Sequence, residues 1–147
     1  MPNPAAGSDA ADPPDPAVSD PEEALLAFWR ERHYATLTTA RPDGTPHVVP
    51  VSVTYDPDAA LARVVASAGS RKVRNIRAAG PSGMPVALCQ VAGRRWSTLE
   101  GRAHVRTEAP LIAEAERRYA ERYGREPRPN PERVLIEVAV RCRMGRG

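Results

Sequence analysis

Tyr34-Ala35-Thr36-Leu37-Thr38-Thr39-Ala40-Arg41-Pro42-Asp43-Gly44-Thr45-Pro46-His47-Val48-Val49-Pro50-Val51-Ser52-Val53-Thr54 decides the fold. Its first part is rich in β-formers, and Arg41-Pro42-Asp43-Gly44 is a turn sequence. The run from Pro46 to Thr54 is a second strand. Pro50 has no N–H to give to a ladder, so this strand must lie at a sheet edge or be bulged near its middle. Downstream, Leu61–Ala68, Val86–Val91, Arg95–Val105 and Val134–Val140 read as four more strands. Gly101, inside the fifth, marks a bulge or a barrel corner. Three helices are expected. Asp20 and Pro21 open the first, which carries Leu25, Leu26, Phe28 and Trp29; Arg71–Ala79 is a short basic second; Pro110 opens a third that ends at Tyr123-Gly124. Six strands joined mostly as a meander, with Gly and Pro kinks and no alternating βαβ units, predict a mainly β (α+β) chain. A small antiparallel barrel flanked by helices fits this pattern, and a Rossmann sheet does not.

At 147 residues the chain is expected to form one domain, residues 20–147, preceded by a Pro/Ala/Asp-rich tail, residues 1–19, too polar to order itself. Hydrophobic residues are 41% and charged residues 27%, ordinary for a soluble domain. A net charge of +3 suits anionic small molecules and falls short of a dedicated nucleic-acid binder. No apolar run is long enough to span a bilayer, and the start lacks the cationic and apolar regions of a signal peptide. The two cysteines, Cys89 and Cys142, match no metal spacing and no disulfide framework, so a cytoplasmic setting is expected.

Of the 21 lysines and arginines only Lys72 is a lysine. A chain that uses Arg everywhere else has reason to place a compact, strongly hydrated ammonium here. Around it stand Gly69-Ser70, Arg71, Arg74 and Asn75: a small turn, free backbone N–H groups, three cations and an amide, the parts of a phosphate cradle. The same run also reads as the basic first turn of a solvated helix.

Catalytic signatures are absent: no dinucleotide or Walker glycine loop, no nucleophile elbow, no zinc-protease motif. His33, His47 and His104 lie on separate elements without metal-ligand spacing, so no metal is expected. A chain poor in catalytic groups but holding a phosphate cradle points to a borrowed cofactor. Three further features read as parts of its site, each with a plainer alternative. In His47-Val48-Val49-Pro50 the proline frees backbone groups that can bond a heterocycle's edge, or it guards an edge strand. Ser67-Ala68-Gly69 is a small-residue strip that admits a ligand, or a tight corner. Gln90 with Arg95-Trp96 contacts a ring or sugar, or packs in the core or an interface.

The order of Thr36-Leu37-Thr38-Thr39, Asp43-Gly44-x-Pro46-His47-Val48-Val49-Pro50-Val51, Ser70-x-Lys72-x-x-Asn75, Gln90-Val91-x-Gly93-x-Arg95-Trp96 and Leu99-Glu100-Gly101 resembles the pyridoxamine 5'-phosphate oxidase-like flavin and deazaflavin oxidoreductases. Arg128-Pro129-Asn130-Pro131-x-Arg133-Val134 with Ile136-Glu137-Val138 is most similar to their coenzyme F420-dependent branch, which includes biliverdin reductases. The similarity runs from Ala24 to Val140. It implies a six-stranded split β-barrel of the FMN-binding type and a homodimer with two cofactors at its interface. The resemblance puts the cofactor phosphate on Lys72 and Asn75 with Arg71, and the ring along the His47–Pro50 backbone. Ser67, Ala68 and Gly69 would line the ribityl chain, with Gln90, Arg95 and Trp96 nearby, some from the second protomer. Arg74, Arg125 and Arg128 are candidates for the groove that holds the anionic tail of F420. The chain ends at Gly147, so contacts made by a longer C-terminus are not carried over. The implied activity is F420H2-dependent hydride transfer to a conjugated, bilin-like substrate, biliverdin to bilirubin. The alternatives are an FMN enzyme resembling the pyridoxamine-phosphate oxidases and a non-catalytic flavin or deazaflavin module. No side chain stands out as the proton donor.

Overall fold

The computed structural model describes residues 20–147, so the tail expected at residues 1–19 lies outside it. The order is α1 (Pro21–Arg30), β1 (Ala35–Ala40), β2 (Pro46–Val51), β3 (Thr54–Asp56), β4 (Leu61–Ser67), α2 (Arg71–Ala78), β5 (Met84–Ala92), β6 (Arg95–Arg106), α3 (Ala109–Tyr123) and β7 (Arg133–Arg146). Asp20 caps α1 by accepting from the Glu22 N–H at 3.0 Å. All the pairings are antiparallel, in the order β2-β1-β5-β6-β7-β4-β3.

The expected six-stranded closed barrel is corrected to a seven-stranded sheet that no ladder closes. The cause is at Ser52-Val53, where the predicted second strand breaks in two. The Val53 N–H donates to Tyr123 Oη at 3.0 Å, and the Val53 carbonyl accepts from Arg122 Nη1 at 2.6 Å. Side chains of α3 thus satisfy backbone groups that a ladder would otherwise need. β2 pairs with β1 at one end of the sheet and β3 with β4 at the other, while only two residues join them. The sheet must therefore curl until its ends meet along this one stretch of chain. Pro50 lies on an end strand, as its missing donor requires.

The last strand runs to Arg146, beyond the predicted end at Val140. Its register against β6 shifts between Glu100 and Gly101, so that Gly101 faces Val140 and Glu100 faces Cys142. A Cβ on Gly101 would stand 2.1 Å from the Ala139 carbonyl oxygen, which explains the glycine at this bulge.

Alternation sends Leu37, Val64, Leu88, Leu99, Ile136 and Val138 into one core. Trp29 of α1 and Val73 and Ile76 of α2 pack into it, and Trp29 Nε1 donates to Ser97 Oγ at 2.7 Å. The outer face of β2, β1, β5, β6 and β7 carries Val48, Pro50, Thr36, Thr38, Ala87, Cys89, Thr98 and Met144, together with the charged Glu100, Arg102 and Arg141. Val48 is 55% exposed, Val91 64% and Trp96 39%. Among the described residues no helix is long and apolar enough to cross a membrane.

Candidate active site

The corner between β4 and α2 builds the site. The Ser70 N–H and hydroxyl both donate to the Ser67 carbonyl, at 3.0 and 2.8 Å. The hydroxyl is turned away from α2, so the helix begins without a side-chain cap and its first N–H groups stay open. No acidic residue lies in that first turn, while Arg71, Lys72 and Arg74 do. Cations at the positive end of a helix are an unfavourable arrangement that an anion would relieve.

Lys72 is half-buried, and burial holds its ammonium below the ordinary lysine range. Among the described residues it forms no ion pair. It lines a cavity of about 460 Å³ together with Pro50, Ser52, Tyr119, Arg125 and Arg128; Arg133 adds a further cation and Glu126 a carboxylate. The Arg125–Pro131 linker is fixed over this cavity. Asn130 Nδ2 donates to Ser67 Oγ at 2.7 Å, and the Ala68 N–H donates to the Glu132 carbonyl at 2.9 Å. Arg133 donates to the Arg128 carbonyl and pairs with Glu116 at 3.4 Å. Ser67 and Ala68 therefore shape the rim by holding the linker. At Gly69 a Cβ would meet nothing within 4 Å, so neither packing nor backbone conformation accounts for that glycine.

His47, on β2, faces Thr39 across the ladder. Burial first, then the charges of Arg41, Arg71 and Lys72, push its imidazole below the ordinary histidine range. Its Nδ1 is shut off from solvent without a partner. Val48 points outward, and Val49 packs against the core.

Pro50, Lys72, Arg125 and Arg128 thus share one cavity, and His47, Arg71 and Lys72 share one electrostatic field. Two expected ligands sit elsewhere. Asn75 is fully buried, its Nδ2 donating to Thr39 Oγ1 at 3.0 Å while its Oδ1 has no partner. Gln90 is also fully buried, donating to the Phe28 carbonyl at 2.9 Å and accepting from Arg122 Nη2 at 2.6 Å. Arg95 pairs with Glu31 at 2.6 Å and lies over the Phe28 ring, and Trp96 adjoins Val91. Gln90, Arg95 and Trp96 line no part of the Lys72 cavity within one chain. Ser52, Tyr119 and Arg133 do line it, unforeseen in the sequence. Tyr119 reads there as one more member of an apolar helix face, and no local signal marks Ser52.

A sequence profile of the pyridoxamine 5'-phosphate oxidase family matches residues 21–142. Over 120 residues the chain is 52% identical to the F420H(2)-dependent biliverdin reductase of Mycobacterium tuberculosis, covering 82% of this chain and 84% of that one. Among solved structures, an F420 reductase superposes with a TM-score of 0.64 at 24% identity, covering 80% of this chain and 94% of the other. General Stress Protein 26 from Bacillus anthracis gives 0.65 at 17% identity, with 85% and 92% covered, a likeness of fold alone. On the profile match and the 52% identity, this chain belongs to the pyridoxamine 5'-phosphate oxidase family.

Proposed function

We propose that the protein is an F420H2-dependent oxidoreductase acting on a conjugated, bilin-like substrate, most simply biliverdin to bilirubin. The observation that carries this reading is the half-buried Lys72, without an ion pair among the described residues, in an arginine-lined cavity of a chain 52% identical to an F420H(2)-dependent biliverdin reductase. The residues present fit an elongated anionic group. The Lys72 ammonium, from the first turn of an uncapped helix, lines the cavity wall together with the linker arginines Arg125 and Arg128. When bound, reduced deazaflavin supplies a hydride from its C5 carbon.

The chain's own residues bind, orient and exclude water. Lys72, Arg71 and the first N–H groups of α2 hold the phosphate, and Arg125, Arg128 and Arg74 bind the anionic tail. Asn75 supports the phosphate seat from beneath, through Thr39. β2 is an end strand, so backbone groups of His47 to Pro50 remain available to the ring's polar edge. Ser67, Ala68 and Gly69 form the narrow wall beside the ribityl chain. Trp96 belongs to the site through a homodimer, whose interface is the outer face of β2, β1, β5, β6 and β7, whereas Gln90 and Arg95 lie in the inward rows of β5 and β6 and are engaged within the chain by Phe28, Arg122 and Glu31. The two free cysteines, Cys89 and Cys142, on that face suit a cytoplasmic protein.

Purified protein mixed with F420H2 and biliverdin is expected to convert the biliverdin visible spectrum to that of bilirubin. An unchanged spectrum with F420H2, alongside turnover with FMN, would overturn the assignment in favour of a flavin enzyme. Tight F420 binding without turnover of any bilin would leave a binding module. A monomer in sedimentation at working concentration would remove Trp96 from the site.

Gly69 offers a second test. Because its Cβ position is open, Gly69→Ala is expected to change folding stability by less than about 0.5 kcal/mol, the usual range for an unconstrained surface site. The added methyl stands on the wall assigned to the cofactor, so F420 affinity falls. Equal F420 titration curves for the two proteins would take Gly69 out of the site.

A further inference from the structure

The charges of three cations act on the His47 imidazole: Arg41 stands in the β1–β2 turn, and Arg71 and Lys72 stand in the first turn of α2. The carboxylate of that β1–β2 turn, Asp43, is engaged by the Thr45 N–H at 3.0 Å and hydroxyl at 2.6 Å. Arg41 donates to the Pro46 carbonyl at 2.6 Å, which fixes it beside the start of β2. Strand β1 presents only Thr39, which is neutral, and α2 presents Asn75 behind it, also neutral. Among the described residues, no carboxylate therefore acts on His47 to offset these cations.

Two buried polar atoms close by lack partners, His47 Nδ1 and Asn75 Oδ1. They border the same residue: Thr39 faces His47 across the ladder and accepts from Asn75 Nδ2. One is an imidazole nitrogen and the other can only accept. The imidazolium carries a hydrogen on both ring nitrogens, so protonation guarantees that Nδ1 is a donor. The free protein does not favour the imidazolium, because burial first and then the charges of Arg41, Arg71 and Lys72 oppose it.

We propose that His47 takes up a proton from solvent when the cofactor phosphate binds, coupling cofactor affinity to pH through this one side chain. The inference rests on the assignment of the phosphate to Lys72 and Arg71. An anion seated there screens the cations that keep the imidazole neutral, and the imidazolium in turn attracts the anion. The coupling is reciprocal, since whatever favours the protonated form favours the ligand by the same factor. The sign follows: the bound form holds the proton to higher pH than the free form. F420 affinity therefore rises as pH falls, by at most about tenfold per pH unit between the two midpoints.

Full-length protein with isotope-labelled histidine, followed by NMR against pH, reads each of the three imidazoles separately once His33→Gln and His104→Gln have assigned them. The His47 midpoint is expected to move up on saturation with F420. Calorimetry in two buffers of different ionisation heat is expected to show net proton uptake of up to one per F420. In His47→Gln that uptake disappears, and the affinity measured by F420 fluorescence quenching loses its pH slope. Without any cofactor, Arg71→Met is expected to raise the His47 midpoint. F420 that binds while the His47 midpoint stays fixed, or uptake that persists in His47→Gln, overturns the coupling and leaves the cofactor assignment standing. F420 that fails to bind at all overturns the cofactor assignment itself. In that case an unmoved His47 midpoint in Arg71→Met would independently refute the electrostatic origin.

Discussion

Arg122→Met is expected to lower folding stability by about 2–4 kcal/mol, the cost of leaving more than one buried acceptor without its donor. Arg122 donates to the Glu31 carbonyl at 2.9 and 2.6 Å, to the Val53 carbonyl at 2.6 Å and to Gln90 Oε1 at 2.6 Å. Its guanidinium also lies over the rings of Trp29 and Tyr123, at 5.8 and 5.3 Å from their centroids. One planar fork thus joins the end of α1, the break between β2 and β3, and the inside of β5. Methionine retains much of the stem's packing, so the measured loss reports mainly the hydrogen bonds. Water can replace the donor at the exposed Glu31 and Tyr123 retains a bond to Val53, so the fully buried Gln90 carries the largest share. Arg122→Lys should recover little, because an ammonium cannot span three acceptors held in a plane. The check is urea denaturation, with a lower midpoint and an unchanged slope. A loss below about 1 kcal/mol would mean that the network is solvated and does not hold the sheet's ends in place.

The same network marks the limit of what the sequence reveals. The strands were legible because their inward positions alternate, and Pro50 and Gly101 announced an edge and a bulge by what they lack. The break at Ser52-Val53 was not legible. Its cause, Arg122 and Tyr123, lies about 70 residues downstream, and no local rule relates a strand's end to a side chain that far away. The extension of β7 past Val140 was hidden for another reason. Arg141, Cys142 and Arg143 supply no apolar alternation, and Arg143 is held instead by Tyr55 Oη at 2.9 Å and by Glu22. In the site, composition alone singled out Lys72, and Arg125 and Arg128 were named only through the family resemblance. Of the two readings open for Gln90, the core one was legible in principle: Met84, Val86 and Leu88 face inward, and period two places Gln90 in the same row. Asn75 lies between buried Val73 and Ile76, so the helical stripe already pointed it toward the core. Polar character drew both residues toward a ligand, whereas strand and helix geometry drew them inward.

Lys72→Met is expected to weaken F420 binding by about 1.5–3 kcal/mol, the range for a hydrogen bond to a charged group, or roughly ten- to 150-fold in Kd. Folding should respond in the opposite sense. The ammonium is half-buried and, among the described residues, without a carboxylate partner, so in the free protein its charge lowers stability. A methionine of similar length removes that charge and retains the stem's contacts, leaving the free variant as stable as the parent or more so. The pH dependence carries the same sign. Burial lowers the folded-state value below the unfolded one, so between the two the unfolded chain binds more protons and stability from this group rises with pH. Lys72→Met abolishes that contribution. Lys72→Arg keeps the charge but replaces a compact ammonium by a broad fork in a cavity already holding Arg125 and Arg128, and it too should weaken binding. Fluorescence quenching of F420 and denaturation of the free proteins measure the two effects separately. Loss of both stability and binding would mean that Lys72 props the helix. Loss of binding with stability retained is the signature of a residue kept for a ligand.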